Sequence, residues 1–539
     1  MPSLSRADHR VSPPILDIPR DYNAAHDLIT RNLDAGRGAK PAYIDDAGSY
    51  TYDVLEARSN RVANVLRAQG LQREERLLVC MLDTFDLPCV FLGAIKAGIV
   101  PVLVNTLLTP GDYEYLLGDC RARVAVVSAP LVGQVAPSLG RVATLEQLIV
   151  AGDGPAEHPR LDVLLEAAVP TTEIAATVAD EPCFWLYSSG STGKPKGTVH
   201  VHSSLVETAE LYGRGVLGVT SGDLVFSAAK IFFAYGLGNA LSFPLAAGAT
   251  TLLMAERPTP EAVFKRLRDY RPSIFYGVPT LFASMLAHPD LPRAEELDLR
   301  RCSSAGEALP EEIARRWEAH FSLPILDGIG STEMLHIFLS NRPGDVRHGT
   351  TGKPVPGYEV RILDDRGQPV APGETGELQV AGPSAALMYW NNRARSRQTF
   401  QGPWTRTGDK YRQDADGYYV YAGRSDDMLK VGGIYVSPFE VESALMSHEA
   451  VLEVAVIGRA DETELVKPAA FVVLKDGYAA TSELGRALQA HVKSRLAPYK
   501  YPRWIAFVDT LPKTATGKIQ RYKLRETGYA AEFVTGAGV

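Results

Sequence analysis

Cysteine is scarce in this chain: five in 539 residues, Cys80, Cys89, Cys120, Cys183 and Cys302. None forms a C-x-x-C pair. An odd, scattered set argues against a disulfide framework; it predicts small buried hydrophobes and a cytoplasmic, reducing location. An excess of positive charge is missing too. Fifty-six basic residues face 63 acidic ones, a net charge of −7. That balance argues against a nonspecific nucleic-acid partner, yet leaves room for a small basic pocket for phosphates. Residues 1–22 carry Arg6, Asp8, Arg10, Asp17 and Arg20 and lack the apolar core of a secretory leader, so none is expected. One run of 25 uncharged residues, between Lys230 and Glu256, has the length of a membrane span. Gly236, Gly238, Asn239, Ser242, Pro244 and Gly248 interrupt it. The expectation is loop, short helix and strand inside a large domain, with no membrane partner. No internal period is present.

What remains is an ordinary globular composition, 45% apolar and 22% charged. The length calls for more than one structural unit, since domains run about 100–200 residues. From about Tyr22 to Val380, helical patterns alternate with short apolar runs, which implies α/β layering. Arg76–Met81, Val124–Ser128 and Ser273–Tyr276 read as strands, and Glu261–Tyr270 as a helix with Thr259 as N-cap and Pro260 in its first turn. The last stretch differs. Ser437-Pro438-Phe439-Glu440 reads as a capping box opening a helix over Pro438–Met446. Strands are expected near Val451–Ile457, Ala469–Leu474 and Ile505–Val508, with a helix near Leu484–Leu496. That is a compact α+β unit, joined through the small and polar residues Gly423–Asp427.

The strongest local signal is Tyr187-Ser188-Ser189-Gly190-Ser191-Thr192-Gly193-Lys194-Pro195-Lys196-Gly197. Its glycines admit an anion close to the backbone, its amides and hydroxyls can donate to phosphate oxygens, and Lys194 and Lys196 add charge. A Ser/Gly linker is the alternative, but the apolar run Phe184–Tyr187 enters it like a buried strand. It is not a Walker A loop, because Pro195 follows Lys194. Gly236-Leu237-Gly238 lacks the third glycine of a dinucleotide fingerprint.

This loop resembles the phosphate-binding signature of the adenylate-forming superfamily: acyl- and aryl-CoA ligases, peptide-synthetase adenylation domains and beetle luciferases. Gly330-Ser331-Thr332-Glu333, Thr407-Gly408-Asp409, Gly423-Arg424-Ser425-Asp426-Asp427 and Pro512-Lys513-Thr514-Ala515-Thr516-Gly517-Lys518 resemble its further motifs, in the right order over nearly the whole chain. The resemblance implies a large multi-subdomain N-terminal α/β domain over 1–425 and a small mobile α+β domain over 426–539, hinged at Asp426. It implies Lys518, Glu333 and Thr332 as catalytic residues, with Glu333 on Mg²⁺. For ATP it implies Ser188, Ser189, Gly190, Ser191, Thr192, Lys196, Ala305, Gly306, Glu307, Asp327, Gly328, Asp409 and Arg424. Coenzyme A is implied as co-substrate, contacting Lys430, Gly432 and Gly433. Alone, Asp409 would read as a turn residue, Arg424 as a surface charge and Ser304–Ala308 as a tight loop. Ile329 departs from the pattern, standing where many members carry an aromatic residue. The Lys518 setting also resembles one that bacterial acyl-CoA ligases switch off by lysine acetylation, implying an acetyltransferase and a deacetylase as partners.

Lys230–Asn239 corresponds to a superfamily motif in which Phe233 here replaces a histidine. Phe232–Asn239, Tyr276–Thr280, Ser303–Pro310, Gly328–Asn341 and Met428–Glu440 look like the benzoate- and 4-hydroxybenzoate-CoA ligases within that superfamily. The resemblance implies a flat aromatic carboxylic acid held by Phe232, Ala234, Tyr235, Tyr276, Gly330, His336 and Ile337, with His336 at the far end. Core packing is the other reading of the two phenylalanines, and a structural hydrogen bond that of the histidine. His200 and His202 would share one face of a strand, without an evident third metal ligand. Tyr499–Arg503 reads either as a CoA-nucleotide contact or as a solvated loop. Other acids (cinnamate-type, cyclic or medium-chain), a carrier-protein thiol as acceptor, and a non-enzymatic nucleotide-binding regulator remain the rival readings.

Overall fold

The computed structural model describes residues 2–190, 193–425, 427–431, 434–461, 465–513, 519–527 and 533–534. Local chemistry sets many elements directly. Helix Pro260–Tyr270 starts where Thr259 accepts the amide of Ala262, opens on Pro260, and buries Val263, Phe264 and Leu267. Strands Arg76–Cys80, Val124–Ser128 and Ile274–Gly277 fall on the apolar runs. They are buried almost throughout, as parallel strands covered by helices on both faces must be.

Two large mixed sheets organise the N-terminal part. The first orders seven strands as Met388–Tyr389, Gly193–Val201, Pro182–Gly190, Val100–Leu103, Arg76–Cys80, Val124–Ser128 and Gln147–Ala151. The second has nine, with a parallel centre running Ile325–Gly330, Arg301–Ser304, Ile274–Gly277, Leu224–Ser227, Thr250–Leu252 and Pro41–Asp45. One apolar core joins them, including Leu77, Val79 and Leu186 from the first and Val225, Ile274 and Leu326 from the second. In the second sheet, Leu224–Ser227 is followed by Thr250–Leu252 on one side and by Ile274–Gly277 on the other. Strand order therefore reverses between Leu224–Ser227 and Ile274–Gly277. Open α/β sheets form their ligand crevice at the carboxyl ends of strands beside such a reversal. An antiparallel five-stranded sheet, including Trp404–Gln413 and Tyr419–Arg424, follows.

The uncharged run is split into helix Ala234–Leu237, a π-helical turn Gly238–Ser242, helix Phe243–Ala247 and strand Thr250–Leu252. Among the described residues no helix is long and apolar enough to cross a membrane.

Near the C-terminus, strands Val451–Ala460, Val466–Leu474 and Trp504–Phe507 form a separate sheet. Helices Pro438–Met446 and Ser482–Lys493 cover one face, and Leu524 of helix Arg521–Thr527 packs on the other. Two expectations need correction. Ser437 caps its helix by accepting from the Glu440 amide, but the reciprocal half of the capping box is not made: the Glu440 carboxylate turns instead to Lys500 Nζ, at 2.6 and 2.7 Å. A full charge is the stronger partner. Helix Ser482–Lys493 begins and ends earlier than the apolar pattern suggests, because Thr481 caps it and Leu496 reaches the same core from the turn beyond its end.

Candidate active site

The described parts of the glycine-rich segment belong to an antiparallel strand pair, with Lys196 paired to Ser188 and Gly197 to Tyr187. Ser191 and Thr192 lie outside the described residues, as do Asp426, Gly432, Gly433 and Lys518. Ser189 and Gly190 end the first strand of the hairpin. Of the apolar run Phe184–Tyr187, Phe184, Trp185 and Leu186 are buried, while Tyr187 is only partly so and donates its hydroxyl to Asp119 Oδ2 at 2.6 Å. Ser188 Oγ donates to Glu333 Oε1 at 3.3 Å, and the same oxygen accepts from the Tyr389 hydroxyl at 2.7 Å. Lys196 Nζ lies 4.3 Å from the centre of the Tyr389 ring, and Lys194 Nζ 4.7 Å from that of Tyr115.

Glu333 is held by unusual backbone. Thr332–Met334 forms a 3₁₀ turn capped by Ser331, whose hydroxyl accepts from the Met334 amide. Leu335 then takes φ 65°, and the His336 amide donates to the Met334 carbonyl at 2.8 Å. That tight, strained turn reverses the chain between Glu333 and His336. Gly330 faces Ile337 across a register shift. A Cβ there would press into the His336 backbone, so only glycine allows this approach.

The carboxyl ends of the second sheet converge beside this turn. Gly277 pairs with Ser304, and Ser304 with Asp327. Ala305 and Gly306 follow directly, Gly306 at φ 94°. Glu307 comes next, and Gly328 lies opposite Ser340. Around them, Phe232, Ala234, Tyr276 and Ile337 are buried and Tyr235 is partly so. The Tyr235 and Tyr276 rings meet edge to face at 6.3 Å. Both Tyr235 and Tyr212 hydroxyls reach Ser303 Oγ at 3.3 Å. Tyr276 Oη, Ser304 Oγ, Asp327 Oδ1 and His336 Nδ1 are buried without a hydrogen-bond partner among the described residues. Buried polar atoms normally find partners, and orphans concentrated at strand ends are what a ligand site looks like. Burial raises the Asp327 carboxyl well above the usual range. Asp409 pairs in register with Arg424, and Arg424 Nη1 lies 3.3 Å from Asp409 Oδ1 and from the Thr407 carbonyl.

Three buried histidines each make a hydrogen bond to the backbone. His336 Nε2 meets the Tyr235 carbonyl at 3.2 Å within a cage of Tyr212, Tyr235 and Phe243 rings. His200 Nε2 lies 2.7 Å from the Thr332 carbonyl, and His202 Nδ1 accepts from the Ala24 amide. Burial pushes their pKa values down, to about 3 for His336 and His202 and about 4 for His200. The unfolded chain therefore takes up protons below about pH 6.5 that the folded chain refuses, and stability falls as pH drops from there toward 4. Each histidine contributes roughly one kcal/mol per pH unit over that window. The urea midpoint of the wild type should fall across it, and more steeply than that of His202→Gln. Parallel slopes would contradict this account.

Several sequence expectations meet competing partners. Lys500 is held by Glu440, while Lys493 and Arg503 both lie over the Tyr501 ring. That favours a structural role for Tyr499–Arg503 over CoA contact. Lys430 sits on strand Leu429–Val431, which pairs with Ile434–Val436 around the two glycines. The Lys518 loop is pinned at its ends by the bridge Lys513–Ile519 and by the Gln520 amide donating to the Pro512 carbonyl. Tyr389 and Tyr212 were not legible: no local pattern marks either, and only the pairing of Met388–Tyr389 with the hairpin and the packing of the π-helical turn Ala209–Arg214 bring them in.

Residues 31–390 match the family model of AMP-binding enzymes, and residues 440–518 match the AMP-binding enzyme C-terminal domain. A benzoate-CoA ligase of Thauera aromatica is 65% identical over 97% of this chain and all of its own length. A 4-hydroxybenzoate-CoA/benzoate-CoA ligase of Rhodopseudomonas palustris is 50% identical over 94% of both chains. The crystal structure of a benzoate CoA ligase from Burkholderia xenovorans LB400 superposes with a TM-score of 0.88 at 57% identity, covering 94% of this chain and all of that one. With a family model spanning well over half of it and relatives this similar along their whole length, the chain belongs to the AMP-binding enzyme family.

Proposed function

We propose that this chain is an ATP-dependent ligase that joins benzoate, and 4-hydroxybenzoate beside it, to coenzyme A. A carboxylate oxygen of the acid attacks the α-phosphorus of ATP and releases pyrophosphate. The CoA sulfur then attacks the acyl carbon of the aryl-AMP and releases AMP. The observation that carries this reading is the aromatic cluster of Phe232, Tyr235, Tyr276 and Ile337 at the strand-order reversal, close to the strand ends where polar atoms of Ser304 and Asp327 are buried without a partner among the described residues. A flat ring suits such side chains by edge and face contact. The family, and the names of relatives 65% and 50% identical, support the same acid.

In this reading the hairpin turn Ser188–Thr192, with Lys196, cradles the phosphates. Ala305, Gly306, Glu307, Asp327 and Gly328 border the adenine, and Asp409 with Arg424 meets the ribose. Gly330 and His336 close the ring pocket with Ala234. Thr332 and Glu333 face the reacting phosphate. Glu333 suits Mg²⁺, a cation that takes one or two carboxylates together with substrate phosphates. Both Ser188 and Tyr389 donate to its Oε1, which would orient the carboxylate for such a cation. Such a cation would neutralise charge on the triphosphate. Lys518, carried by a mobile unit from residue 426 onward, bridges carboxylate and α-phosphate. The same unit then presents Lys430, Gly432 and Gly433 to CoA. Acetylation of Lys518 would cancel its charge.

A panel of acids assayed for CoA-thioester formation with MgATP tests the substrate. Benzoate and 4-hydroxybenzoate should give the highest kcat/KM, differing by about 10²-fold or less because an apolar pocket rejects an added hydroxyl only weakly. Acetate and palmitate should be poor. A clear preference for an aliphatic acid would overturn the assignment.

A further inference from the structure

We infer that Tyr389 is a positioning residue that holds Lys196 and Glu333 apart, so that neither charge neutralises the other before MgATP arrives. The inference rests on the reading of this site as an ATP site.

Lys196 and Glu333 are drawn together by the fold. Lys196 pairs in register with Ser188, and Ser188 Oγ touches Glu333 Oε1. A lysine has a flexible four-carbon stem. An ammonium and a carboxylate brought this close attract each other, so direct pairing is open to them. Among the described residues, however, no ion pair joins Lys196 to Glu333. Both groups contact Tyr389 instead, at different places: the ammonium over the ring face at 4.3 Å, the carboxylate through the hydroxyl at 2.7 Å. A tyrosine can do this because its ring face attracts cations while its hydroxyl donates to anions.

Tyr389 is itself immobilised. It is 3% exposed and packs against the Phe400 ring at 5.3 Å. Its amide donates to Ser396 Oγ at 3.0 Å. The strand Met388–Tyr389 is registered against Thr198 and Val199 of the hairpin. Just before it, the Ala386 amide donates to the Glu333 carbonyl at 2.7 Å. One short segment thus fixes the ring relative to both groups. Burial is the main influence lowering the Lys196 pKa, and Arg395 and Arg424 press the same way while Glu333 opposes them.

Two substitutions separate the two contacts. Tyr389→Phe keeps the ring and removes the hydroxyl; Tyr389→Leu removes both. ATP affinity is measured by calorimetry in EDTA, and Mg²⁺ half-saturation by benzoate-dependent ATP–pyrophosphate exchange. Tyr389→Phe should bind ATP in EDTA within about twofold of wild type but need about fivefold more Mg²⁺, as expected for one lost hydrogen bond to a charged group. Tyr389→Leu should lose about tenfold in metal-free ATP affinity, within the range of a desolvated cation–π contact. The deciding measurement is the double variant Tyr389→Leu/Glu333→Gln. With no carboxylate to collapse onto, Lys196 should be released and metal-free ATP affinity should return to within about threefold of wild type. Failure of that rescue overturns the inference, since a merely structural tyrosine would not be rescued by neutralising Glu333. If Tyr389→Leu does not fold, an unchanged Mg²⁺ half-saturation in Tyr389→Phe overturns it alone. Wild-type protein that binds no ATP would instead sink the reading of the site.

Discussion

Lys518→Ala should lower adenylate formation by about 10²–10³-fold or more while leaving thioester formation from pre-made benzoyl-AMP within about tenfold of wild type. The split follows from when charge develops. In the first step negative charge builds on the α-phosphate and on departing pyrophosphate, and a cation shared between carboxylate and phosphate stabilises that state more than the ground state. In the second step the electrophile is already made. The described flanks agree with a loop presented from a fixed base: Lys513 pairs with Glu453 at 2.6 Å, and Arg521 is held to Glu442 at 2.8 Å. Measuring pyrophosphate exchange and single-turnover thioesterification separately checks the prediction. Equal losses in both would contradict the role given to Lys518.

The second large effect is expected at the connection between the two units. Asp426→Pro should retain much of its adenylate formation and lose CoA transfer by about 10²-fold, as when a gating motion is blocked. Residues on either side of Asp426 are anchored in opposite directions. Arg424 is tied to Thr407 and Asp409. Asp427 accepts from Arg525 at 3.0 Å and has Arg521 at 3.9 Å, both from the last helix. The Ser425 amide also donates to the Gly408 carbonyl, and the Asp427 and Met428 amides donate to the Arg424 carbonyl, so the proposed rotation would have to turn within this short segment. Proline fixes φ near −65° and restricts the residue before it. Gly433→Leu should show the same split for a different reason: a side chain at the turn between Leu429–Val431 and Ile434–Val436 would obstruct the CoA arm without touching the hinge. Single-turnover kinetics of each half-reaction in both variants is the test, and unimpaired CoA transfer in both would mean that no such alternation occurs.

What could be read from the chain beforehand divides along physical lines. Thr259 and Pro260 announced their helix, and the apolar run Val124–Ser128 its strand, because capping and burial on both faces are decided by neighbours within a few residues. The ordered motifs singled out the glycine-rich segment, Glu333, Asp409 and Arg424 as candidates, since each motif needs particular residue types at short spacing. Elements that depend on distant partners were misread at the edges. Glu440 fits a capping box until Lys500, 60 residues away, supplies a stronger partner.

By itself, then, the sequence determined the family, the α/β character and the elements whose caps and apolar periods are local. Only the tertiary structure decided how those pieces meet. It set the strand-order reversal beside Tyr276, and the strained turn at Leu335 that presents Glu333 and His336 from one short segment. It also set the pairing of Met388–Tyr389 with Thr198–Val199, which carries Tyr389 to a carboxylate 56 residues away in the chain. Contacts of that kind are fixed by the packing of whole sheets, and a hydrogen bond between residues far apart leaves no period or spacing in the chain to be read.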